Sequence, residues 1–67
     1  MELEFWYINK YDEKGNYVGR LVVEAVNKGE AKKKMLRIAL KWTDGLHLGD
    51  NMRGPYATRL RAETVLH

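Results

Sequence analysis

ELEFWYINKYDEKGNYVGRLVVEAVNKGEAKKKMLRIALKWT, residues 2–43, decides the fold class of this chain. Leu3 to Tyr11 is dense in aromatic and β-branched residues and reads as a strand. Asp12-Glu13-Lys14-Gly15-Asn16 is a turn, because Gly15 and Asn16 tolerate the positive φ that a hairpin loop demands. Tyr17 to Val26 is the returning strand. Asn27 is a good N-cap, and Glu30 three residues later completes a capping-box pattern, so a helix is expected over 28–42. At about 100° per residue, Ala31, Met35, Ile38, Ala39 and Trp42 share one face of that helix, the stripe that a sheet would bury. Lys33, Lys34, Arg37 and Lys41 share another. Leu36 and Leu40 lie off the core stripe and need cover from elsewhere.

The hairpin register sets which side chains face the helix, since a one-residue slip exchanges the two faces. A five-residue loop pairs Tyr11 with Tyr17. Leu3, Phe5, Tyr7, Tyr11, Tyr17, Leu21, Val23 and Ala25 then form one apolar face toward the helix. Trp6, Ile8 and Val22 lie on the opposite face, beside Lys10, Arg20 and Glu24. This register is preferred over a four-residue loop, which leaves both faces half polar.

Downstream, Thr43 to Tyr56 (TDGLHLGDNMRGPY) carries Gly45, Gly49, Gly54 and Pro55, which forbid a long regular element. It is expected to be a Gly-rich loop, with Leu46, Leu48 and Met52 folded over Leu36 and Leu40. Residues 57–66 alternate again, with Leu60, Ala62, Thr64 and Leu66 on one side, and predict a third strand. The expected whole is a single α+β domain, 1–67, of order ββαβ: hairpin 3–26, helix 28–42, loop 43–56, strand 57–66. One helix packs on a three-stranded, mainly antiparallel sheet with the first strand central, because that strand is the most apolar on both sides.

Composition narrows the function. The chain has 67 residues and no Cys, so neither a disulfide nor a thiolate zinc site can brace it. One core of this size rarely supplies more than about 3–5 kcal/mol, which favours self-association; the missing cysteines fit a reducing cytoplasm. No basic segment precedes an apolar run, and none approaches the ~20 residues needed to span a bilayer. Ser is absent along with Cys, which removes the two commonest catalytic nucleophiles. Asp44, His47 and Asp50 have cation-ligand chemistry, but their loop placement reads as solvated, and no metal or cofactor is expected. The Gly45–Gly49–Gly54 spacing lacks the Gly-Lys-Ser/Thr of a phosphate loop.

Net charge is +3, unevenly spread. Residues 27–43 hold six bases and one acid, whereas 1–26 hold three bases and five acids. The expected function is therefore non-catalytic binding of nucleic acid through Lys33, Lys34, Arg37 and Lys41, joined by Arg59 and Arg61 if the last strand lies beside the first. The alternative is a protein-interaction or inhibitor module, of the short accessory kind common in bacteria and their phages. It would use the exposed sheet face (Trp6, Ile8, Val22) or the helix edge (Leu36, Leu40), and a homo-oligomer built on these surfaces is expected.

Overall fold

The computed structural model describes residues 2–66. The element order is β1 (Glu4–Tyr11), β2 (Tyr17–Ala25), α1 (Lys28–Ala39), β3 (His47–Leu48), β4 (Arg53–Tyr56) and α2 (Arg59–Thr64). The fold is α+β with an antiparallel sheet. β1 is central, as its two-sided apolarity predicts: β2 pairs on one side, β3 and β4 on the other.

The turn forms as its residues dictate. Asp12 accepts the Lys14 and Asn16 backbone N–H groups on Oδ1, both at 2.9 Å, and Gly15 takes φ +84°. The hydrogen bond from the Asn16 backbone holds the Asp12 carboxyl below its ordinary range. Tyr11 pairs with Tyr17, the expected end of the hairpin, but the next pair is Lys10 with Gly19. Val18 is an extra residue, a β-bulge, made cheap by Gly19 at φ +131°.

That bulge corrects the expected faces. Beyond it, Ile8 pairs with Leu21, Trp6 with Val23 and Glu4 with Ala25. Leu21, Val23 and Ala25 do turn toward α1, but the β1 residues beside them are Ile8 and Trp6, not Tyr7 and Phe5. The main core is Trp6, Ile8, Val23, Ala25, Ala31 and Met35, flanked by Leu21, Leu48 and Met52. Ala25 and Ala31 are fully buried, and their small side chains let strand and helix approach closely. Phe5, Tyr7, Arg20 and Val22 occupy the second face, and Leu3 is largely exposed.

α1 starts where expected: the Asn27 side chain accepts from the Glu30 N–H at 2.9 Å. Glu30 does not complete the box and lies 3.8 Å from Lys34 instead. Regular helix ends at Ala39, three residues early. The Lys41 and Trp42 backbone N–H groups donate to the carbonyls of Ile38 and Ala39 in tighter i to i−3 turns. Ile38, assigned to the core stripe, overhangs its edge and is 39% exposed.

The remaining differences lie in the last third of the chain. The expected loop 43–56 contains β3 and β4, short pieces separated by glycines that both return to β1. β4 is an edge strand, where Pro55 loses no ladder bond that the sheet requires. The expected strand 57–66 is the helix α2. Thr58 caps it by accepting the Arg61 N–H at 3.1 Å, and Ala62 is fully buried beneath it. The alternation of Leu60 and Leu66 was coincidental, for both are exposed. α2 covers the second sheet face, which therefore is not open.

Gly54 fixes the approach of β4. Its φ is +146°, and a Cβ placed there would stand 2.7 Å from Trp6 Cε3 and 3.0 Å from the Phe5 carbonyl oxygen. Gly54→Ala is therefore expected to cost at least ~2 kcal/mol through backbone strain and overpacking. Urea unfolding checks this, with Gly15→Ala, whose added Cβ meets nothing within 4 Å, as the milder comparison.

Candidate nucleic-acid interface

α1 carries five of the twelve Lys and Arg residues: Lys28, Lys32, Lys33, Lys34 and Arg37. Lys33 and Arg37 are exposed along its outer side, as the helical spacing predicts, and Lys41, in the turn beyond its end, is exposed as well. Lys33, Lys34 and Arg37 line a shallow concavity with Asn27, Gly29 and Glu30. Lys34 is partly committed to the fold: its Nζ donates to the Glu24 backbone carbonyl at 2.6 Å. The Lys34–Glu30 pair is the ion pair recorded among the described residues. Lys33, Arg37 and Lys41 have no carboxylate partner there.

Arg59 and Arg61 do not join this patch. Both belong to α2, on the opposite side of the sheet from α1, and the Arg59 guanidinium lies 5.4 Å from the centre of the Phe5 ring. The proposed protein-contact residues separate similarly. Trp6 and Ile8 are 6% and 7% exposed in the core, and Val22 is half-buried beside Arg20, Arg59 and Glu63. Leu36 and Leu40 remain open, Leu40 at 85% exposure.

Sequence spacing missed a groove of about 620 Å³ between α1 and the 48–53 segment. Ile8, Met35, Leu48 and Met52 form its apolar floor, and Lys28, Lys32 and Arg53 stand among its lining residues with Asp50. On the helical wheel Lys28 falls within the span of the core stripe and Lys32 just outside it. Only the path of the 48–53 segment reveals that they border an opening.

Leu48 and Met52 pack against the core rather than over Leu36 and Leu40: Leu36 lines their groove but is half exposed, Leu40 is uncovered, and Leu46 is itself exposed. His47 lies 3.1 Å from the Gly45 carbonyl through Nδ1 and stacks on Tyr11, while Asp44 accepts from Thr43. Among the described residues, no three His, Asp or Glu side chains converge into a metal-holding group. No described helix is long and apolar enough to cross a membrane. No family model, curated protein or solved structure matches the chain.

Proposed function

We propose that this protein is a small, non-catalytic binding module that lays the outer face of α1 along a nucleic-acid backbone, acting in the cytoplasm. The observation carrying this reading is the set Lys33 and Arg37 on α1 and Lys41 in the turn after it, all exposed and with no ion-pair partner among the described residues. Lys28 and Lys32 extend the charge toward the groove, where Arg53 faces them. Such a set neutralises phosphates and releases their counterions. Base stacking is a poor fit, because Trp6 and Tyr7 are buried and each sheet face is covered by a helix. Binding should therefore be insensitive to sequence and steep in salt.

The test is titration of duplex DNA at two salt concentrations with the wild type and the triple variant Lys33→Gln, Arg37→Gln, Lys41→Gln. Lys34 is left intact because it also supports β2. Each lost phosphate contact should lower the salt slope of log K by about 0.9. Absence of wild-type binding at low salt would overturn the reading. The second reading, a protein contact, then rests on Leu36 and Leu40, exposed four residues apart on α1.

A further inference from the structure

We propose that two copies of this chain pair through the outer edges of their β2 strands, antiparallel about a two-fold axis at Val22. Among the described residues, β2 is a nine-residue strand paired on one side only, since β3 and β4 both lie across β1. The register identifies the unpaired row. In an antiparallel ladder, the N–H and C=O of one residue point to the same side. The Asn9 carbonyl accepts from Gly49 at 2.8 Å, so Phe5, Tyr7 and Asn9 turn toward β3 and β4. Glu4, Trp6 and Ile8 then turn toward β2, and engage Ala25, Val23 and Leu21. Arg20, Val22 and Glu24 are left with their main-chain groups directed outward. Lys34 agrees, because it reaches the Glu24 carbonyl from outside the sheet.

The charges on this row are self-complementary. With the axis at Val22, each Arg20 faces Glu24 of the second copy, and each facing pair exchanges two main-chain hydrogen bonds. Both side chains leave the strand on the α2 side; the Arg20 guanidinium keeps its bonds to the Ala62 and Val65 carbonyls, and its charge, which those neutral acceptors do not cancel, favours a carboxylate across the ladder. Axes at Arg20 or Glu24 would oppose like charges. Exposed apolar side chains flank the row: Tyr17 at 56% and Val18 at 46% at one end, and Ile38 at 39% on the α1 side, one helical turn beyond Lys34. An unrelated strand could satisfy the backbone, but it would not match the charges by symmetry. Lys34 acts as a guard on this edge, and pairing displaces its ammonium from Glu24.

This surface differs from the Lys33, Arg37, Lys41 set, so the inference stands apart from nucleic-acid binding. The experiment is sedimentation equilibrium of the full chain up to high micromolar concentration, with amide hydrogen exchange on the same samples. The expected result is twice the 7.8 kDa chain mass, with Arg20, Val22 and Glu24 amides slowing as the dimer forms. Glu24→Arg should weaken dimerisation at least tenfold with an unchanged far-UV spectrum, and Lys34→Met should strengthen it. Ile38→Lys probes the same interface from α1 should Glu24→Arg fail to fold. A monomer at high concentration overturns the proposal. So does a dimer that survives Glu24→Arg, or one whose Arg20, Val22 and Glu24 amides exchange as in the monomer.

Discussion

Trp6→Ala is expected to leave the chain unfolded. Trp6 sits in the core against α1 at 6% exposure, and emptying such a site costs about 3–5 kcal/mol. A single core in a chain this short rarely supplies more than about 3–5 kcal/mol. Far-UV circular dichroism and urea titration would read the loss of cooperative structure. Trp6→Phe should behave differently. It retains much of the apolar contact and removes the indole Nε1, a buried polar atom without a hydrogen-bond partner among the described residues. An unsatisfied buried group costs about 1–3 kcal/mol, which offsets part of the lost packing. Trp6→Phe should therefore stay folded, within about 1–2 kcal/mol of the wild type. A natively folded Trp6→Ala protein would contradict the core position of this residue.

The second large effect is expected at Arg20. Its Nη1 donates to the Ala62 carbonyl at 2.9 Å and its Nη2 to the Val65 carbonyl, which ties down the C-terminal end of α2. The guanidinium also lies 4.0 Å from the centre of the Tyr7 ring. A helix of six residues does not persist alone in water. Arg20→Met should cost about 2–4 kcal/mol, from two charge-assisted hydrogen bonds and the cation–π contact. Amides of residues 61–64 should then exchange far faster than those of α1. Arg20→Lys should rescue little, because an ammonium cannot span two carbonyls as the planar fork does. Unchanged exchange in α2 would show that Ala62 packing alone holds the helix.

The hairpin, its turn, the central position of β1 and the start of α1 were legible because each rests on local chemistry: Gly15 and Asn16 in the turn, Asn27 at the cap, apolar residues on both sides of β1. The face assignment was not legible. Tyr11 does oppose Tyr17, yet one bulged residue between Tyr17 and Gly19 exchanges the side of β1 that meets α1. Loop length alone does not report it, although Gly19 within a β-branched strand is the mark such a bulge leaves. The 57–66 segment misled for another reason. Leu60, Ala62, Thr64 and Leu66 alternate, but Thr58 and Arg61 make a helix cap, and Arg20, distant in sequence, completes the other end. Of the candidate site, the exposure of Lys33 and Arg37 was readable from helical spacing, while Lys41 falls past the end of α1. The separation of Arg59 and Arg61 from it required the fold.

The placement of the two tryptophans gives the molecule separate optical reporters. Trp6 is enclosed by apolar side chains, so its emission should lie to the blue and shift red when the core opens. Trp42 is half-buried just past the end of α1, next in sequence to Lys41 and with the Lys10 ammonium 5.8 Å from its ring centre. A polyanion settling on the basic face would alter the surroundings of Trp42 while leaving Trp6 dark to the event. One fluorescence spectrum thus distinguishes occupancy of the surface from melting of the interior, without a label.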